Sequence, residues 1–136
     1  VTNLKYIRRG HKVNFERSVT FGTEIGGHIV SGHIQTTAVI NQIVKTEENC
    51  RMTLAVEPKW MRYILYKGFV TVNGASLTVG EVRDESFDIH LIPETLAITN
   101  LELAEVGHEL NIEVDQQTYS IVQTVERYLK NNKSAR

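Results

Sequence analysis

Cysteine is almost absent from this chain: Cys50, in the polar stretch KTEENCR, is the single one among 136 residues. No disulfide can close within the chain, which fits a reducing compartment and points to a cytoplasmic protein. Long apolar runs are missing too. None approaches the roughly 20 residues of a membrane span, and no signal peptide is visible, so no membrane partner is expected. Net charge is nearly balanced at -1, which excludes a broad electrostatic pull toward nucleic acid. What remains is an average soluble composition, 41% apolar and 23% charged, long enough to bury a core without staples.

The chain does repeat itself. VTNLKYIRRGHKVNFE, residues 1–16, lies over ITNLELAEVGHELNIE, residues 98–113, without a gap. Seven positions match: Thr2/Thr99, Asn3/Asn100, Leu4/Leu101, Gly10/Gly107, His11/His108, Asn14/Asn111 and Glu16/Glu113. Val1/Ile98, Val13/Leu110 and Phe15/Ile112 exchange one apolar residue for another. The offset of 97 residues far exceeds the roughly 20–50 typical of solenoids, so it marks duplication of a whole small domain. Read as the closing segment of each copy, the motif makes residues 1–17 the tail of an upstream domain and residues 18–115 a second, complete one. Residues 116–136 are then a C-terminal helix and a polar tail. A chain that starts without Met inside the motif is expected to continue upstream.

Most of the interior reads as strands. HKVNFE and HELNIEV alternate, with Val13, Phe15 and Leu110, Ile112, Val114 on one face. FVTVNGASLTV holds two β-rich runs around Asn73-Gly74, a strong hairpin signal. SFDIHLI sets Phe87, Ile89 and Leu91 against Asp88, His90 and Ile92, and HIVSGHIQTTAVINQIV and RMTLAVE supply two more candidates. Short strands at regular spacing suggest a small antiparallel barrel or sandwich. Pro58 can open a short helix through residue 65, with Trp60, Met61, Ile64 and Leu65 on one face. A second helix is expected in SIVQTVERYLK, where Ile121, Val122, Val125, Tyr128 and Leu129 recur at helical spacing. Being marginal alone in water, it must pack on the barrel or on copies of itself. NNKSAR reads as a disordered polar end.

Several motifs invite chemistry. GGHIVSGHI holds His28 and His33, but five residues apart they face opposite sides of a strand and lie about 140° apart on a helix, so no metal site is expected. What survives is a close approach of backbone at Gly32. GASLT lacks the closing glycine and the helix of a nucleophile elbow. In a strand, Ser76 and Thr78 share a face opposite Leu77 and Val79, beside other outward polar groups. Pro93 breaks HLIPETL between His90 and Glu94, and amides exposed at such a break can meet the edge of a planar heterocycle. Asp115 continues the outward parity of Asn111 and Glu113. A small closed barrel fills its interior with side chains, so these groups would line its outside, where a second domain could complete a site.

EIGGHIVSGHI, YILYKGFVTVNGASLTVGEV, IHLIPETLAITNL and NIEVD together resemble the C-terminal barrel of riboflavin synthase, from residue 1 to about residue 127. The resemblance implies an all-β fold, a six-stranded antiparallel Greek-key barrel with a short internal helix and a C-terminal helix. It also accounts for the repeat, because that family carries two such barrels in tandem and residues 1–17 match the end of the first. It implies a transferase that moves a four-carbon unit between two molecules of 6,7-dimethyl-8-ribityllumazine. The products are riboflavin and 5-amino-6-(ribitylamino)pyrimidinedione, and no cofactor is needed because the substrate's own ring is the electron sink. By the same resemblance, the site would form between the first barrel of one subunit and the second barrel of a neighbour in a homotrimer built through the terminal helix. Carried over by position, Gly32, His33, Ile34, Ser76, Leu77, Thr78 and the run His90, Leu91, Ile92, Pro93, Glu94, Thr95 contact ligand. On the same matching, Lys67 is expected to contact the ligand of the partner barrel, and His33, Thr78 and Asp115 to orient substrate and relay protons. A non-catalytic lumazine- or flavin-binding antenna protein of the same design is the rival. A flavin reductase barrel is less suited, since it calls for a following nucleotide-binding domain.

Overall fold

The computed structural model describes residues 1–133. The alternating segments form six strands, β1 (Thr36–Lys45), β2 (Cys50–Val56), β3 (Phe69–Val72), β4 (Ala75–Val82), β5 (Ser86–Leu91) and β6 (Glu109–Val114). All neighbours pair antiparallel, and the sheet closes in the order β1-β2-β5-β4-β3-β6. The β2–β3 and β5–β6 connections each skip to a strand that is not adjacent, which makes the barrel a Greek key.

The register follows from side-chain parity. Cys50, Met52, Leu54 and Val56 turn inward from β2 and meet Phe87, Ile89 and Leu91 of β5, all buried. The β3–β4 turn has two residues, Asn73 at φ 47° and Gly74 at φ 85°, between paired Val72 and Ala75. Positive φ at both central positions is the twist that suits a tight hairpin, and Asn-Gly tolerates it best. One-residue irregularities kink β1 between Ile40 and Gln42 and β4 between Val79 and Val82. Leu101, in a 3₁₀ turn at Asn100–Leu103, inserts fully into one end of the core. Among the described residues, every buried one lies between Thr36 and Val114. The barrel core is complete without residues 1–35.

Four expectations need correction. Residues 11–16 alternate like a strand but pair with none; they run extended over the barrel after a 3₁₀ turn at Asn3–Tyr6. The strand expected over residues 28–44 begins only at Thr36, because residues 26–35 leave the sheet to cross its outer face. Helix α1 is a single turn, Pro58–Met61; Tyr63 and Ile64 are buried by the turn after it, while Leu65 is 53% exposed. Pro93 does end the sheet, but it also starts an unforeseen helix, α2 (Pro93–Ile98), since proline's fixed φ suits a first helical turn.

Helix α3 (Gln116–Lys133) begins before its apolar spacing suggests. Asp115 caps it: the Thr118 N–H and hydroxyl donate to Asp115 Oδ2 at 2.9 and 2.7 Å. The helix also takes in Asn131–Lys133, the first half of the expected disordered end; residues 134–136 lie outside the described residues. Tyr119 and Val122 pack on the barrel, with the Tyr119 and Tyr63 rings 5.0 Å apart. Arg62 donates to Glu126 at 2.8 Å, and Gln123 to the Tyr63 hydroxyl. Ile121, Val125, Tyr128 and Leu129 stay exposed along the other side. No described helix is long and apolar enough to cross a membrane.

Candidate functional site

Strand alternation puts polar groups outside wherever the core takes their neighbours, and the register then sets them side by side. Ser76 of β4 pairs with Thr71 of β3, which pairs in turn with Glu113 of β6. One step along, Thr78 pairs with Phe69, and Asp115 follows β6 beside it. Thr71 and Glu113 nonetheless rank among the buried residues, at 2% and 3% exposure. Their cover is the 26–35 loop.

Two fastenings hold that loop to the wall. Glu113 accepts the Ser31 N–H at 2.7 Å and the Ser31 hydroxyl at 2.9 Å on Oε1, and the Gly32 N–H at 2.9 Å on Oε2. Farther back, His28 stacks on Phe69 with centroids 5.2 Å apart and planes 15° apart. Its N–H donates to Ser76 Oγ at 3.2 Å, its Nδ1 lies 2.7 Å from the same oxygen, and its Nε2 lies 3.3 Å from Thr71 Oγ1. One assignment satisfies all three: Ser76 Oγ accepts from the backbone and donates to Nδ1, leaving Nε2–H to donate to Thr71.

The glycines divide the work differently from the sequence reading. Gly32 adopts φ +79°, but a Cβ there would meet nothing within 4 Å, so it is needed for its backbone angle and not for space. The close approach falls at Gly27, at φ +84°, where a Cβ would collide with Ser76 Oγ and stand 2.9 Å from its Cβ. On the next column, His90 of β5 lies across Gly80, whose added Cβ would meet the ring at 3.0 Å. His90 Nδ1 is 3.2 Å from Asn49 Nδ2.

Two carboxylates are held low by different partners. Burial pushes the Asp115 carboxyl up, but the Thr118 and Gln117 bonds and the nearby His28 outweigh it and leave it below its usual range. Asp88, fully buried on the outward face of β5, is held low chiefly by Arg83, whose two guanidinium nitrogens donate at 3.0 Å each. Burial works against that shift, while the Thr53 hydroxyl at 2.8 Å and Arg51 reinforce it.

The wall therefore gathers Ser76, Thr78, Asp115 and the loop carrying Gly32 and His33, with His90 on the adjoining strand. His33 is exposed, its Nδ1 3.4 Å from Ser31 Oγ. Leu77 and Leu91 point into the core, 8% and 0% exposed, so only their backbones can meet a ligand. Ile92 is exposed, Pro93 and Glu94 start α2, and the Thr95 carbonyl accepts from the Thr99 hydroxyl at 2.7 Å. Lys67 is exposed at φ 59°, with its N–H on the Val79 carbonyl at 2.9 Å. Ile34 sits apart from the wall, in a groove of about 950 Å³ between residues 3–14 and 100–111. Sequence reasoning missed His28 as a wall residue, along with Phe69 and Thr71; the loop that brings His28 there carries no periodic signal.

A sequence model of the lumazine binding domain matches residues 31–115, from the loop on Glu113 to the cap of α3. The chain belongs to the lumazine-binding domain family. Within it, the riboflavin synthase of Escherichia coli (strain K12) is 48% identical over 136 residues, covering 99% of this chain and 64% of that protein. The riboflavin synthase of Buchnera aphidicola subsp. Schizaphis graminum (strain Sg) is 42% identical over 130 residues, 95% of this chain and 62% of the relative. The chain thus spans under two thirds of these relatives' length. Among solved structures, LumP complexed with 6,7-dimethyl-8-(1'-D-ribityl) lumazine is similar at TM-score 0.64 and 23% identity, over 68% of this chain and 52% of that one. LumP complexed with riboflavin gives TM-score 0.64 and 27% identity over 71% and 52%. This lumazine-binding barrel shares their fold.

Proposed function

We propose that this chain is the second lumazine-binding barrel of a cytoplasmic riboflavin synthase, with its ligand on the outer wall of β3, β4 and β5. The reading rests on one observation above all: Ser76, Thr78 and His90 stand outward on neighbouring strands, next to a loop fastened by Glu113 and His28. Beside the loop the wall stays open at Thr78 and His90 and offers one side of a site. A second barrel from a neighbouring subunit would supply the other, with Lys67 reaching the ligand held there, and the exposed stripe on α3 would carry the homotrimer contact.

The reaction would transfer a four-carbon unit between two identical lumazines, giving riboflavin and 5-amino-6-(ribitylamino)pyrimidinedione. One substrate is the donor and the other the acceptor, so no external oxidant or reductant enters. Holding two reactants in register can supply about 7–11 kcal/mol. A positioned proton transfer adds about 10²–10⁴-fold, or roughly 3–5 kcal/mol. Positioning dominates. His33, Thr78 and Asp115 would orient substrate and relay protons, none being indispensable; with its pKa held low, Asp115 serves better as a fixed negative charge than as a proton donor.

A non-catalytic antenna role is the second reading, favoured by the likeness to LumP bound to lumazine and riboflavin. The 48% identity to a synthase against 27% or less to those structures weighs toward catalysis. Incubation with 6,7-dimethyl-8-ribityllumazine decides it, followed by riboflavin fluorescence. The chain alone is expected to bind weakly without turnover, and to gain activity when a first barrel is supplied in trans. Binding with no turnover under both conditions would favour the antenna role; fast turnover by the chain alone would refute the need for two barrels.

A further inference from the structure

Residues 1–17 meet the barrel across a two-fold that the sequence repeat makes visible. The Asn3 N–H donates to Asn111 Oδ1 at 2.7 Å, and the Asn100 N–H donates to Asn14 Oδ1 at 2.6 Å. Asn3 Nδ2 donates to the Glu109 carbonyl at 3.0 Å, and Asn100 Nδ2 to the Lys12 carbonyl at 3.4 Å. Each member of a pair is displaced by the same 97 residues from its mate. Reciprocal contacts of this kind define an isologous surface.

The backbone pattern is symmetric; the charge is not. Lys5, Arg8 and Lys12 stand where the second copy has Glu102, Glu105 and Glu109. Lys5 Nζ lies 3.3 Å from Glu109 Oε2, and the Tyr6 hydroxyl donates to Glu109 Oε1 at 3.2 Å. The symmetry-related pair, Lys12 with Glu102, is again opposite in sign. Were this barrel to meet another copy of itself across the same two-fold, both positions would oppose Glu102 to Glu109. Residues 1–17 also leave apolar side chains unburied: Leu4, Val13 and Phe15 are 56%, 56% and 85% exposed, while their counterparts Leu101, Leu110 and Ile112 are buried.

We propose that this seam is a charge-coded docking surface for a sister barrel, one whose closing segment is basic where this barrel's is acidic, and that the code rejects self-pairing. The asparagines fix the register common to both pairings; Glu102 and Glu109 choose between them, by repulsion against the wrong partner as much as attraction to the right one. The partner takes Val13 and Phe15 into its core as this barrel takes Leu110 and Ile112. This surface does not depend on what the β3–β5 wall binds.

The test uses the full chain in a Val125→Lys, Tyr128→Lys background, chosen to suppress any association through the exposed α3 stripe. Lys5→Glu, at an exposed position that cannot unfold the barrel, should release residues 1–17, read as at least tenfold faster tryptic cleavage beside Arg8 and Arg9, without self-association. Glu109→Lys should release the segment and also tighten self-association at least tenfold by sedimentation, because the new ammonium would meet Glu102 of a second copy. The double exchange, Lys5→Glu with Glu109→Lys, should restore protection and the monomer. Unchanged protection in Lys5→Glu, a monomeric Glu109→Lys, or no rescue in the double variant would each overturn the proposal.

Discussion

Replacing Glu113 with Gln isolates the fastening that places Gly32 and His33. The carboxylate accepts three bonds from Ser31 and Gly32, and no residue of the 26–35 loop is buried, so polar contacts hold the loop down. The amide oxygen of Gln can still accept from Ser31, but its NH₂ would face the Gly32 N–H, donor against donor. Losing one hydrogen bond to a charged group costs about 1.5–3 kcal/mol, which at about 1.36 kcal/mol per decade is roughly a 10- to 150-fold rise in loop opening. Amide exchange by NMR reads this directly. Protection at Ser31 and Gly32 should fall by that factor while Ile89 and Ile112 in the core stay protected. Unchanged loop protection would refute the fastening; parallel loss in the core would mean that Glu113 supports the barrel and not the loop.

Other perturbations have equally definite outcomes. Asp88 is depressed in the folded state, so its stabilising contribution is present above the unfolded value near pH 4 and lost as pH falls through the folded one. Acid unfolding should therefore flatten in Asp88→Asn, with a neutral-pH loss near the low end of about 1.5–3 kcal/mol because Arg83 is half exposed; an unaltered acid profile counts against the assignment. Gly27→Ala must find room against Ser76 at a positive φ, so the His28–Ser76 bond should break, costing at least about 1–2 kcal/mol, with the His28 ring resonances shifting toward those of a free side chain. Intact His28 shifts would contradict the packing. On α3, Val125→Lys with Tyr128→Lys should reduce any helix-mediated trimer to monomers by sedimentation without altering the thermal midpoint of the barrel; persistence of the trimer would place that contact elsewhere.

The fold was legible where two demands agree. Along β2 and β5, inward Met52, Leu54, Phe87 and Ile89 alternate with polar neighbours, and Asn73-Gly74 needs no tertiary context to turn. Residues 11–16 alternate just as clearly, yet they form no strand, because alternation records an apolar face and not the presence of a pairing edge. The outward parity of Ser76, Thr78 and Glu113 was readable for the same reason as the core. What covers them was not: Glu113 and Thr71 are buried by a loop whose path depends on Gly27 fitting against Ser76, a contact across 49 residues that no local pattern encodes. Asp115 shows the limit in another way. Its parity marked it as outward, but its Thr118 bonds make it a helix cap as well as a neighbour of His28.

The wall itself is tested most directly by titrating the chain with 6,7-dimethyl-8-ribityllumazine and following amide and methyl NMR shifts residue by residue. Shifts should concentrate at Ser76, Thr78, His90 and Gly32, with little change at the inward methyls of Val72 and Ile112, and Ser76→Ala should weaken binding with the barrel still folded. Shifts confined to the groove between residues 3–14 and 100–111, or to the core methyls, would contradict binding at the wall.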